Sequence, residues 1–293
     1  MNSVLLEDGR FWHHLRQSTI GNILRCPEQG RQIYLGLVED DISTDSQVLG
    51  SAVHAGIEYV LYEKMNYDYM TPGDWEGDLA ADVGHDVVEH YLDTNDWVYT
   101  KFSKAKVYEL AHADLDVWVR DIEPLVEPVL IEETFKHVLT DTAERLIAVG
   151  GTIDCVDEDG VIWDWKTSHG MPHERWEKQR WSVQSTVYTW ALNQMDPGLY
   201  PFPREFKFGI VNDTASEILS VWRDETHVSW LTEQCLGIAR MLEADLPEWT
   251  KNDQGWWCSS RWCPVWQAGE CKGGHMHEGW RSYEAPQTEE TNG

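Results

Sequence analysis

Gly151-Thr152-Ile153-Asp154 and, one turn later, Ile162-Trp163-Asp164-Trp165-Lys166 make up the most informative stretch of this 293-residue chain. The apolar runs Leu146-Ile147-Ala148-Val149 and Val161-Ile162-Trp163 are too short for helices. Between them, Asp157-Glu158-Asp159-Gly160 is a strong hairpin-turn signal. Such a hairpin places Asp154 and Asp164 on neighbouring strands, where two carboxylates can converge on one hard divalent cation, Mg²⁺ or Mn²⁺. Lys166 lies two residues beyond Asp164, so the two-residue strand period sets both side chains on one face. A lysine there can orient a water or offset charge on a phosphate. An isolated Asp-x-Lys is also what an acidic surface hairpin would carry, so neighbouring signals decide between the two.

Working outward, helical spacing marks residues 14–26, 45–64, 77–93 and 104–122. Cys26-Pro27 ends the first of these, and a loop at 70–74 separates the second from the third. After Pro124 and Pro128 the period changes to strands at 129–131, 146–149 and 161–163. A helix at 174–195, strands at 206–211 and 217–222, and a helix at 226–245 follow. The expectation is an α/β fold in which a central mixed sheet is flanked by helices. One domain over 1–282 would comprise a helical N-terminal part at 14–122, a catalytic core at 129–222 and a helix with a cysteine-rich segment at 226–275. The polar tail at 283–293 is expected to be disordered.

With 23 Lys and Arg against 51 Asp and Glu, the net charge is −28, a field that repels nucleic acid at long range. Local cations can reverse that sign inside a cleft. No apolar run is long enough to cross a membrane, and the first residues lack a secretory pattern, so a soluble cytoplasmic protein is expected. No Gly-x-x-x-x-Gly-Lys-Ser/Thr loop is present, so any unwinding of DNA would need a partner. The 17 tryptophans are mainly packing residues, although exposed ones can stack unpaired bases. A glycosidase could also use paired carboxylates and Trp platforms, but Asp-x-Lys on one strand face fits it poorly.

Four further sets bear on chemistry. Gly50 and His54 share a helix face, as do Gln184 and Tyr188. Each pair alone would read as a structural contact. Glu132 or Glu133 adds an acid at the end of a strand. Of six cysteines, Cys258, Cys263 and Cys271 cluster with turn residues between them, while Cys155 adjoins Asp154 and Cys235 falls in a helix. His275 and His277 could supply a further ligand to a metal at that cluster.

Taken in order, Cys26-Pro27, Gly50 to His54, Gly151 to Asp154, Asp164-Trp165-Lys166-Thr167, Gln184 to Tyr188 and the late cysteines resemble the PD-(D/E)XK nuclease superfamily. The resemblance is to the branch of RecB/AddB nuclease domains and CRISPR-associated Cas-four exonucleases, phage-encoded relatives included. It implies a restriction-endonuclease-like core and metal ligation by His54, Asp154, Asp164 and the Trp165 carbonyl. It also implies a catalytic role for Lys166 and support or DNA contact from Gln184 and Tyr188. The superfamily's strand glutamate would fall at Glu132 or Glu133. The split cysteine pattern implies a [4Fe–4S] cluster on Cys26, Cys258, Cys263 and Cys271, with structural Zn²⁺ as the alternative because the spacing of the late cysteines departs from the commonest version. The implied activity is a Mg²⁺- or Mn²⁺-dependent DNA exonuclease in recombination or DNA processing, in the host cytoplasm if phage-encoded. It would act on single-stranded or frayed ends, with a single-strand annealing protein or helicase as partner. A DNA- or partner-binding module with little cleavage is the alternative, and the acidic charge favours it.

Overall fold

In a computed structural model of the chain, the described residues are 3–38, 44–67, 77–97, 101–169, 178–252, 258 and 263–271. The expected loop at 70–74, the tail at 283–293, His275 and His277 lie outside them.

The chain opens with β1 (Ser3–Leu5) and β2 (Phe11–Arg16), where the first helix was expected to have begun already at 14. Helix α1 instead spans Gln17–Arg25, and Cys26 is extended at its end. Pro27 then starts a second helix, α2 (Pro27–Tyr34), rather than leading into a loop; its fixed φ and missing N–H suit a first helical position. Helices α3 (Asp45–Tyr67), α4 (Gly77–Thr94) and α5 (Lys104–Asp121) follow. The central strands are longer than the apolar runs suggested: β3 (Pro128–Asp141), β4 (Arg145–Asp157) and β5 (Ile162–Thr167). Helix α6 covers Val183–Met195, not 174–195. Ser182 caps it by accepting from the Gln184 N–H, so the helix cannot extend further back in the same register. Strands β6 (Arg204–Val211) and β7 (Ser216–Arg223), helix α7 (Glu225–Glu243) and a short α8 (Pro264–Gln267) complete the order.

The strands form one mixed sheet of seven, in the order β1-β2-β4-β5-β6-β7, with β3 also paired to β4. Strand β4 is antiparallel to β3 along most of its length. Its other edge is shared in succession: Arg145 to Gly150 pair in parallel with β2, and Cys155 and Val156 pair with β5. Between these partners that edge is open from Gly151 to Asp154. Beyond Trp163, β5 leaves β4 but remains parallel to β6 as far as Thr167. The sheet therefore forks, and a fork in an open α/β sheet is where a ligand can reach the strand ends.

Two apolar layers close the faces. Leu15, Val187, Phe206, Phe208 and Leu231 are buried on one side, under α1, α6 and α7. Val53, Ile57, Leu115, Trp118, Trp163 and Trp165 are buried on the other, under α3 and α5. The β2 end is fixed by a buried polar cluster: Arg145 meets both Glu243 oxygens at 3.0 Å, and His13 Nε2 lies 2.9 Å from Glu243 Oε1. No helix among the described residues is long and apolar enough to cross a membrane.

Candidate active site

The turn at Asp157 to Gly160 fixes the hairpin. Gly160 takes φ +73°, and the Asp157 carboxylate accepts from the Val161 N–H and the Trp163 indole, each at 2.8 Å. At the fork, the Trp165 N–H points back to Asp154 Oδ2 at 3.2 Å, so a side chain occupies the space that a β4 backbone partner would fill. Asp164 is fully buried. Gln184 of α6 donates to its Oδ1, and Lys166 Nζ stands 2.5 Å from Oδ2. Oδ2 is nonetheless a buried oxygen with no hydrogen bond in proper geometry.

Helix α3 supplies the third wall. His54 Nε2 is 2.7 Å from the Trp165 carbonyl, and Nδ1 is 3.4 Å from Asp154 Oδ2. Since a carbonyl only accepts, Nε2 is the donor in this arrangement. Gly50, one turn earlier, explains the close approach: a Cβ there would sit 3.2 Å from Thr167 Oγ1 of β5. Gly151 plays the same part on the opposite side, where a Cβ would meet the rings of Phe135 and Tyr188 at 3.1 Å. Tyr188 is buried edge-on to Phe135, and burial together with Asp164 pushes its hydroxyl pKa far up.

The acids crowd one another. Burial first, and then Asp164, raises the Asp154 pKa. The Glu132 carboxyl is pushed up to about 7 by burial, then by Asp154, Glu58 and Asp164. Glu132 also holds φ +49°, a left-handed conformation unusual for a non-glycine residue in a strand. Of the two glutamates offered by the sequence, Glu132 is thus the one that faces the fork. Lys166 and His54 already face these acids, and a divalent cation would add to them, taken up in exchange for the protons favoured by the raised pKa values of Asp154 and Glu132. Among the described residues, no three His, Cys, Asp or Glu side chains stand close enough to hold a metal ion without side-chain movement.

The sequence profile of the PD-(D/E)XK nuclease superfamily matches residues 16–268. The chain belongs to that superfamily. Membership implies a nuclease that acts on DNA with a divalent cation. The matched span includes β3 to β7 and all the residues just described, while β2 lies before it except for Arg16. A solved structure described as "Crystal structure of SSO0001" is similar at 12% identity over 84% of this chain and 94% of that one, with a TM-score of 0.34. No curated protein matches the chain.

In this PD-(D/E)XK chain, sequence reasoning missed Glu58. It lies four residues after His54, and burial raises its pKa. Gly50, His54, Glu58 and Tyr62 form one stripe along α3, and the Tyr62 hydroxyl reaches the Ile131 carbonyl at 3.3 Å. Extending the Gly50–His54 spacing by one further turn would have found Glu58.

The cysteines separate into two groups. Cys155 is buried in β4 and Cys235 in α7, where burial pushes the Cys235 thiol up to about 12; both are packing residues. Cys26, Cys258, Cys263 and Cys271 line one pocket together with Glu28 and Lys251. Burial, then Cys271 and Cys26, raises the Cys263 thiol. Glu28 joins α2 to this region: its carboxylate accepts from Arg31, Gln32 and the Trp249 N–H at 2.7–2.9 Å.

Proposed function

We propose that the chain is a metal-dependent DNA exonuclease acting on single-stranded or frayed ends, in recombination or DNA processing. The observation that carries this reading is the set of groups at the fork: Asp154, Asp164, Lys166, His54 and the Trp165 carbonyl on one opening, with the buried Asp164 paired to Lys166. His54, Asp154, Asp164 and the Trp165 carbonyl would hold Mg²⁺ or Mn²⁺, and Glu132 would add a further carboxylate. When bound, the cation supplies a more acidic water and a counter-charge for the scissile phosphate. Lys166 orients the attacking water and balances the phosphate's developing charge. Gln184 donates to Asp164, fixing the carboxylate plane, and Tyr188 packs beneath it as a neutral hydroxyl.

The four clustered cysteines support a [4Fe–4S] centre. Cys26, Cys258, Cys263 and Cys271 share one pocket, as the split cysteine pattern of the resemblance implies, and structural Zn²⁺ on four thiolates is the alternative. The centre would join α1 and α2 to the segment around α8 and hold the two regions of sequence together.

A net charge of −28 favours a second reading, a nuclease fold that binds DNA or a partner and cuts poorly. Incubating purified chain with single-stranded, blunt and frayed end-labelled DNA, with and without Mn²⁺, separates the two. Progressive shortening from one end that depends on Mn²⁺ supports the exonuclease. Retention of DNA without any shortening supports the binding module.

A further inference from the structure

Trp181 is the most exposed large apolar side chain among the described residues, with 85% of its surface in water. It stands in a helical turn at 178–181, directly before the Ser182 cap of α6. The backbone on both sides of it is anchored. Ser182 N–H donates to the Gln179 carbonyl at 3.0 Å, and the Arg180 carbonyl accepts from Arg223 Nη2 at 2.6 Å. Arg223 is itself buried, and its Nε donates to Thr186 of α6 at 3.1 Å. Burying that guanidinium works against its charge and lowers its pKa. A costly internal group is therefore used to fix a turn whose aromatic side chain is left mostly exposed.

That turn adjoins the candidate active site. Gln184, which donates to Asp164, is three residues from Trp181, so their Cα atoms are within about 11 Å along the chain. The sequence of the turn also includes Lys178 and Arg180, and Arg180 donates to the Ser220 carbonyl of β7 at 3.5 Å. By contrast, Trp118, Trp163, Trp165, Trp190 and Trp249 are buried. An exposed indole on a backbone fixed against β7, within about 11 Å of Gln184 along the chain, suits one ligand class: a nucleobase free of its pairing partner.

We propose that Trp181 is a stacking platform for an unpaired base of the DNA strand entering the fork, and that it sets the preference for single-stranded over fully paired ends. This rests on the nuclease reading of the site. An unpaired base offers both faces to the platform, whereas at a paired end only the outer face of the terminal pair is free, so a single-stranded or frayed end uses the platform better.

The test uses the full chain carrying Lys166→Ala, to block cleavage, and a single strand with 2-aminopurine near its end. Trp181→Ala should weaken single-strand binding about 10-fold and remove the fluorescence quenching that stacking causes. Trp181→Phe should retain most of both, and binding of blunt duplex should change little. Equal affinity and equal quenching in the Trp181→Ala chain, alongside Mn²⁺-dependent cleavage by the unmutated chain, would overturn the platform and leave the nuclease reading intact. An unmutated chain that neither cuts nor binds DNA would overturn both.

Discussion

The fork at the candidate active site and the cysteine pocket are assembled in opposite ways. The fork draws Asp154, Asp164 and Lys166 from a single hairpin, and its acids are held by groups of the fold itself: the Trp165 N–H, His54 and Gln184. The pocket draws Cys26 from the end of α1 and three cysteines from beyond α7, and its thiols face one another around a space. The first arrangement brings its groups to one opening in the metal-free fold, and side-chain movement would complete a cation site. The second depends on what fills it. The comparison therefore separates a site whose loss should remove chemistry from one whose loss should remove stability.

The largest expected effect lies at the fork. Asp164→Asn should lower the cleavage rate at least about 10³-fold, because it removes a buried anionic ligand position next to Lys166. The same change relieves repulsion with Asp154 and Glu132 but deprives Lys166 of its anionic partner, so the opposing effects should leave the unfolding midpoint of the metal-free chain only modestly changed. Rates on end-labelled DNA and thermal melts of one preparation check both halves. A large fall in melting temperature would mean that the fork also holds the fold together.

The cysteine pocket should respond in the reverse sense. Cys26→Ser should abolish iron (or zinc) retention and lower the melting temperature by about 5–10 °C, as expected for a loss of roughly 3 kcal/mol in a chain of this size. The cleavage rate measured well below that temperature should fall much less than in Asp164→Asn. Elemental analysis with melting curves is the measurement, and the visible spectrum distinguishes iron–sulfur from zinc.

A smaller effect concerns protons. The Glu132 pKa stands at about 7 in the metal-free fold against an ordinary 4.5, so between those values the native chain holds a proton that the unfolded chain has lost. Stability of the metal-free chain therefore falls as pH rises through that window, while Mn²⁺ binding strengthens and releases the proton. Glu132→Gln should flatten that pH dependence of Mn²⁺ affinity, read by calorimetry in two buffers of different ionisation heat. An unchanged slope would remove Glu132 from the ligand set.

The smallest change tests how closely α3 must approach. Gly50→Ala places a methyl 3.2 Å from Thr167 Oγ1, which must yield by a few tenths of an ångström. The cleavage rate should drop a few-fold, while Cys26-dependent metal retention is untouched. Gly50→Leu should cost more.

The two regions also differ in how far the sequence revealed them. The fork was legible because its chemistry is local: the turn, the alternation and Asp-x-Lys fall within some fifteen residues, and helix pairs four apart point to Gly50, His54, Gln184 and Tyr188. The N-terminal strands were not. In β2 the buried positions are His13 and Leu15, and His13 reads as polar because its partner Glu243 lies in the last long helix. Helix α2 was hidden because its buried residues Glu28, Arg31 and Gln32 are polar and bond to one another within one turn, so no apolar stripe marks it. Pro27 was read as a stop when it is also a start. The start of α6 was placed too early, because polar residues before Ser182 do not break a helical pattern by themselves. Buried polar partnerships formed across long stretches of sequence leave no hydrophobic period to find.

The central claim is that the fork cuts DNA through its acid–lysine set. Purified full-length chain and its Lys166→Ala variant, each with Mn²⁺ and 5′- or 3′-labelled single-stranded DNA, test it most directly. The account predicts end-directed shortening by the unmutated chain that stops on chelation, and a rate at least about 10²-fold lower in a Lys166→Ala chain of unchanged melting temperature. Equal cleavage by the folded variant would contradict it.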